Sequence, residues 1–297
     1  MKIIMSSNRK REKDNTTFWD ERRGSIRTSK GGWIPGKIVH NHGYSMMDDL
    51  VGRVSYFQVM MLNVTGRMPE RRLAEWMEAY FICNSYPDAR IWCNQIGSLA
   101  GTIRSSPVAA VTAGILASDS RMYGPGTLSA SIAFITDALA KKKQGLSAEE
   151  IVCSHQRRSG SKPLIIGYVR PVASGDERIP ALERVAENLG FVRGEHLTMA
   201  YAIEEVMVEK ANERMNLLGY IVPFLCDQDF SPQEIYRILS TMVSAGVLAC
   251  YAEAADQPPT SFFPLHCEDI DYQGKPFRRL PERKGHDLMR GESHEHR

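Results

Sequence analysis

From Ser45 to about Ala255 the apolar positions recur at three- and four-residue intervals, the period of a helix with one face on a core. Phe57, Met60, Met61 and Val64 set the i, i+3, i+4, i+7 pattern in SYFQVMMLNVTG, with Gly66 as its stop and the methionines as core. Leu73, Trp76, Met77 and Tyr80 repeat it in MPERRLAEWMEAYFICNS, where Pro69 is expected in the first helical turn. A shorter helix opens at Ser45 in SMMDDLVG. The tract Ile91–Ser118 is rich in Gly, Ala and Ser, which predicts close packing inside the protein rather than at its surface, and Pro107 splits it into two helices. TLSASIAFITDALAKKK, IPALERVAENLG, LTMAYAIEEVMVEKANERMNLLGYIVPFLCDQ and SPQEIYRILSTMVSAGVLACYAEAA continue the helical pattern, and the loop-rich Lys162–Arg178 interrupts it. Ile38 and Val39 form a short strand in the turn-rich Lys30–Ser45. With no long alternating run and no internal repeat, the fold class is all-α.

At 297 residues the chain makes one large domain or two modest ones with a substantial core. A net charge of +2 points to neither a nucleic-acid partner nor a membrane. The bases gather at the ends, in Arg9–Lys13 and Arg278–Arg297, as solvated tails, and Trp19 is the one anchor of the polar first 28 residues. No apolar run reaches the ~18–20 residues of a membrane span, and the first residues do not read as a secretory signal. Six scattered cysteines without a C-x-x-C pair read as reduced, packed thiols of a cytoplasmic protein. His40 and His42 lack carboxylate or cysteine partners at metal spacing and read as exposed turn histidines, so no metal is expected. His155 reads as a surface-loop histidine or, alternatively, a replacement base, and His294 and His296 belong to the charged tail.

One stretch carries candidate chemistry. SRMYGPGTLSASIAFI, Ser120–Ile135, places Tyr123 on a Gly-Pro-Gly turn before a helix, where backbone N–H groups at Gly124 and Gly126 can face an anion or a thioester oxygen. Together with GYSMMDDLVGRVSYFQVMMLNVTGRMP, SLAGTIRSSPVAAVTAGILA, IIGYVRPVASGDER, MNLLGY, AGVLACYAE and FPLHCEDIDYQGKPFRRLP, in that order from about Gly32 to Pro281, it resembles the citrate synthase superfamily, nearest its short citryl-CoA lyase members. The resemblance implies a helical subunit with a large and a small domain, an obligate homodimer, and a site between the domains that binds a CoA thioester. The organisation expected is a flexible N-terminal arm (1–28), a helical domain (29–281, its small part about 165–245) and a charged C-terminal tail (282–297).

Carried over residue by residue, the resemblance implies substitution at the reacting positions. The family's HGG turn, whose His polarises an oxygen, falls on Tyr123-Gly124-Pro125; its second His falls on Arg170; its catalytic Asp falls on Leu218. Of its carboxylate-binding arginines, one remains as Arg178, while Val243 and Phe263 hold two others, and the His of the short members' D-H-G, after Asp88, is Ala89. Leu164, Ile165, Ile166, Gly167 and Tyr168 match the loop that holds the adenine of CoA, and on their own they read equally as a buried connection. Proton abstraction alpha to a thioester needs a base at contact distance and donors for the enolate oxygen. Leu218 supplies neither, and Arg170 only the second. Tyr123 is either a donor to that oxygen or a packed tyrosine, and Arg178 is the expected carboxylate anchor. The expectation is a divergent relative that binds a CoA thioester or a carboxylate, with any carbon–carbon condensation or cleavage run by a non-standard residue set. A non-catalytic subunit that pairs with an active paralogue is the alternative; a ligand-sensing regulator has no DNA-binding motif behind it.

Overall fold

Residues 16–280, apart from 159, 171 and 172, are described by a computed structural model. They begin with α1 (Thr17–Asp20) and a small antiparallel sheet, β1 (Gly31–Ile34), β2 (Ile38–Asn41) and β3 (Tyr44–Ser45), in the order β1-β2-β3. Trp19, expected to be an anchor, is exposed and meets Phe18 edge-on. The strand expected at Ile38 has two partners that the turn-rich sequence concealed. His40 and His42 are not exposed turn residues: both are half-buried, His40 in β2 and His42 beside it with φ of +49°.

After one wide helical turn, Met46–Leu50, come α2 (Tyr56–Thr65), α3 (Arg71–Cys83), α4 (Trp92–Thr102), α5 (Pro107–Ser118), α6 (Leu128–Lys143) and α7 (Ala148–Cys153). Then follow α8 (Ile179–Asn188), α9 (Glu195–Ala211), α10 (Leu217–Cys226), α11 (Pro232–Leu239) and α12 (Ser244–Asp256). Side-chain caps set several of the boundaries. Ser55, Ser147 and Ser231 form reciprocal caps with Gln58, Glu150 and Glu234, and the Ser106 hydroxyl accepts from Ala109 N–H, with Pro107 at the first position of α5. Gly66 ends α2 in the left-handed conformation. Pro69 lies before the Glu70 cap of α3 rather than in its first turn, and its carbonyl accepts from Gln58 Nε2 at 3.0 Å. Asn212, at φ +52°, divides α9 from α10.

The core centres on Trp76, stacked on Phe224 at 3.7 Å between ring centroids, with Tyr80, Tyr220, Met61 and Met207 around it. The tract 91–118 packs tightly on one side. Gly97 and Gly101 of α4 bring that helix against the backbone of α12 at Val247 and Tyr251, so close that a Cβ on either would collide with a carbonyl oxygen. Its other side departs from the expectation of burial: Trp92 and Leu99 on α4, Ile103 just after it, and Val108, Thr112 and Leu116 on α5 are exposed.

Pro232–Asp256 has the length and mean hydropathy (1.5) of a membrane span, which the sequence reading did not register. Its apolar window is 44% buried, a turn over 240–243 separates α11 from α12, and Ile235, Ile238, Leu239, Met242, Val243 and Val247 belong to the core. The described residues from Phe263 to Leu280 belong to a separate unit and contain one short turn, Cys267–Asp269. The first half of the expected N-terminal arm and the tail with His294 and His296 lie outside the described residues.

Candidate functional site

A cavity of about 630 Å³ opens where the start of α4, the turn before α6, the loop 165–170, the start of α10 and the approach to α12 converge. That volume is in the range of small-molecule sites. The turn holds its shape through backbone geometry. Gly124 takes φ of +66° with the Ser118 carbonyl so near that no side chain fits, and Thr127 Oγ1 donates to Gly124 O at 2.7 Å. Tyr123, extended just before it, places its hydroxyl 3.5 Å from Cys93 Sγ and its ring edge-on to Trp92. Burial pushes both the Tyr123 phenol and the Cys93 thiol up, so both stay neutral near pH 7.

The opposite wall is a charged network. Asp176, whose side chain has no exposed surface, accepts from Arg178 Nε and Nη2, each at 2.7 Å, and from Leu217 N–H at 3.0 Å at the start of α10. Arg178 also donates to Cys83 O at 3.3 Å. Arg170 donates to both oxygens of Glu177, at 2.6 and 3.2 Å, and to Gly175 O. Asn216 caps α10 through Oδ1, while its Nδ2 donates to Val169 O at 2.8 Å and its backbone N–H to Gly167 O. Gly167, at φ +95°, lies against Gly219 closely enough to exclude a side chain, which fixes the loop on the helix. Burial works to raise the Asp176 carboxyl, yet the hydrogen bonds and charge of Arg178, with the charge of Arg170, hold it below the ordinary carboxylate range. Hydrogen bonds from Arg170 hold Glu177 at about 2.

Tyr123, Gly124, Arg170 and Arg178 thus share one cavity, and so do Ile165, Ile166 and Gly167. Gly126 stands behind the turn, pressed against Ser120. Leu164 is exposed outside the cavity. Tyr168 is buried and donates to Ala200 O at 2.8 Å, so it faces the core and not a ligand. Arg178, expected to anchor a substrate carboxylate, holds the chain's own Asp176 instead. Leu218 and Val243 line the cavity as the resemblance placed them; Phe263 falls in the separate unit. Asp88 pairs with Arg90. His155 lies at the end of α7, packed edge-on to Phe134 and outside the cavity.

Sequence reasoning missed Asp176, Glu177 and Cys93. The acidic pair was visible in GDER, but the reach of Asp176 across 41 positions to Leu217 N–H was not. Among the described residues lining the cavity, Asp176 is the sole carboxylate, and no histidine lines it. No cluster of metal-ligating side chains occurs among the described residues.

No model of a protein family matches the chain, and no curated protein matches it in sequence. Solved structures do. Citryl-CoA lyase from Hydrogenobacter thermophilus is 25% identical, with a TM-score of 0.72 over 86% of this chain and 97% of that one. ATP citrate lyase from Methanothrix soehngenii, solved with citrate and coenzyme A, is 17% identical with a TM-score of 0.69, covering 88% of this chain and 44% of that one. Citrate synthase from Thermoplasma acidophilum, solved with carboxymethyl coenzyme A and oxaloacetate, is 15% identical with a TM-score of 0.58, covering 77% and 59%. The chain has the citrate synthase fold, and within that superfamily it is similar to citryl-CoA lyase over nearly the whole of that enzyme's length.

Proposed function

We propose that the cavity binds a CoA thioester and that the ordinary proton-abstraction chemistry of the fold does not run in it. The observation that carries this reading is the state of Asp176. It is the one carboxylate among the described lining residues, and it is committed to Arg178 and to the start of α10. A carboxylate held in that way is a poor proton acceptor, because protonating it breaks a buried ion pair. Leu218, at the position where the family's acid is expected, offers no proton acceptor. Any carbon–carbon condensation or cleavage here runs on a different set, with Tyr123 and Arg170 as donors to the thioester oxygen. The neutral Tyr123 phenol suits a donor's role and not a base's. The mouth is cationic: Arg121 lines it and makes no ion pair among the described residues, and a phosphate-bearing ligand matches that charge.

Adding CoA or acetyl-CoA should raise the melting temperature of the pure protein, and Arg170→Ala should remove most of that rise. Absence of any shift with CoA and its esters overturns the binding reading; citrate formation or cleavage at an ordinary enzymatic rate overturns the chemical one.

A second reading, a subunit that pairs with an active paralogue, draws on the exposed, largely apolar stripes of α4 and α5. We infer that they meet a second copy of this chain, as the fold's resemblance implied. Native mass spectrometry separates the two: a homodimer supports self-pairing, and a stable heteromer with a catalytic paralogue supports the alternative.

A further inference from the structure

The wall of the cavity divides by burial. Arg90, Arg121 and Met122 at its mouth are exposed, while Tyr80, Leu217, Ile221, Met242 and Val243 are buried and lie at its floor, with Leu218 half-buried beside them. The floor residues are apolar apart from the Tyr80 hydroxyl, which is turned to Met242 Sδ at 2.7 Å. The buried polar groups of the wall are likewise spent on the protein. Asn94 Nδ2 donates to Tyr86 O and Asp88 O, Thr127 donates to Gly124 O, and Asp176 takes Arg178 and Leu217 N–H. Among the described residues, the buried side-chain polar atoms without a partner are His42 Nε2 and Trp76 Nε1, and neither residue lines the cavity. Both interior arginines are paired with the chain's own carboxylates, Arg170 with Glu177 and Arg178 with Asp176.

A ligand bearing two or three carboxylates would therefore find no free cation at the floor. Only Arg170, whose partner Glu177 is exposed, can be released to a ligand, and one cation does not match two or three carboxylates. At the floor the ligand would have to displace Asp176, a buried group with three charge-assisted or backbone bonds, or else lie unpaired against leucine, isoleucine and valine. Either is costly, since a desolvated charge without a partner is among the most unfavourable groups to bury. An apolar group meets no such penalty there and gains the burial of each methylene.

We propose that the floor of the cavity receives the uncharged, apolar acyl end of a thioester, an alkyl or aryl group, and excludes di- and tricarboxylates. The proposal rests on the thioester reading above and specifies its substrate class. The cationic mouth and apolar floor together match an amphiphile whose polar end carries phosphate and whose reactive end does not carry charge.

Isothermal titration of the full chain with CoA, acetyl-CoA, hexanoyl-CoA and benzoyl-CoA, alongside oxaloacetate and citrate, tests it. Hexanoyl-CoA should bind at least about tenfold tighter than acetyl-CoA, a gain well within what four further buried methylenes supply. Oxaloacetate and citrate should neither bind nor compete. Leu218→Trp, which fills the floor, should bring hexanoyl-CoA down to the affinity of free CoA, and Val243→Ala should move the preferred chain length upward. Equal affinity for acetyl- and hexanoyl-CoA, or competition by citrate, overturns the proposal while leaving CoA binding intact. The hexanoyl thioester of N-acetylcysteamine, which lacks the nucleotide, separates the two failures. If it binds and the CoA esters do not, the CoA reading falls and the apolar floor stands; if neither binds, both fall.

Discussion

Asp176 decides more at the residue scale than any group singled out from the sequence. It neutralises Arg178, caps α10 through Leu217 N–H and faces Arg170 at 3.9 Å, all from a site with no exposed side-chain surface. Asp176→Asn keeps the shape and removes the charge that both arginines face. Breaking a fully buried pair costs roughly 3–5 kcal/mol. The Arg178 side chain retains 21% of its exposure, so water can partly rescue it, and we expect a loss of about 2 kcal/mol in urea denaturation at pH 7. A loss below about 0.5 kcal/mol, the scale of an ordinary surface substitution, would show that the pair is solvated. The same geometry fixes the sign of the acid response. The folded Asp176 and Glu177 carboxyls titrate below the unfolded range near ~4, so their stabilisation is complete above that range and disappears as pH falls through the folded values, about 2 for Glu177. Melting curves between pH 5 and pH 2 should therefore slope downward with acid. Asp176→Asn should flatten the slope, whereas Glu177→Gln should change it little, because Glu177 is exposed and screened. Parallel slopes for wild type and Asp176→Asn would remove Asp176 from the account.

Elements were legible in the sequence wherever periodicity and caps coincide. Ser55 with Gln58, Ser106 with Pro107, and Ser231 with Glu234 are local signals, and each marks a helix start within a residue. The turn at Gly124 was readable for the same reason: a Gly-Pro-Gly sequence leaves the backbone few other conformations. What escaped the sequence depends on chain returning from far away. The Arg170–Glu177 and Arg178–Asp176 pairs had their members close together in the sequence, yet nothing local said that they would pair with each other instead of waiting for a ligand. The small residues of α4 announced close packing but not its direction. Gly97 and Gly101 face α12, and the same helix turns Trp92 and Leu99 outward. Gly97→Ala measures that contact. Alanine improves intrinsic helix propensity by about 1 kcal/mol, but its methyl would stand 2.5 Å from Val247 O, and overpacking of this kind costs roughly 1–3 kcal/mol. Because the obstacle is backbone and cannot rotate aside, we expect a net loss of about 1 kcal/mol in chemical denaturation. A stabilised variant would mean that α4 and α12 separate easily.

At the scale of the whole molecule, the outward stripes are apolar surface that the chain's own core leaves uncovered. Val108, Thr112 and Leu116 follow one another along α5 at four-residue spacing, with the threonine as the one polar member. Ala245, Leu248 and Ala252 do so at three- and four-residue spacing along α12, where the exposed Glu253 and Asp256 bound the stripe at its end; the α5 stripe contains no charge. Contiguous, mainly apolar faces of this kind mark interaction sites, whereas scattered exposed leucines do not. The helices α4, α5 and α12 are also packed on one another, so the stripes stand on one rigid support. Self-pairing across a two-fold axis would bury this face against its own copy, the commonest arrangement of homo-oligomers. The double variant Leu116→Glu, Leu248→Glu distinguishes that from an incidental surface. In a monomer both positions are solvent-exposed, and glutamate there should change stability by no more than about 0.5 kcal/mol per site. In a dimer the substitutions place like charges on both sides of one interface, so light scattering should show the variant as a monomer and its melting temperature should no longer rise with protein concentration. A variant that keeps the wild-type mass would release these helices from any role in assembly.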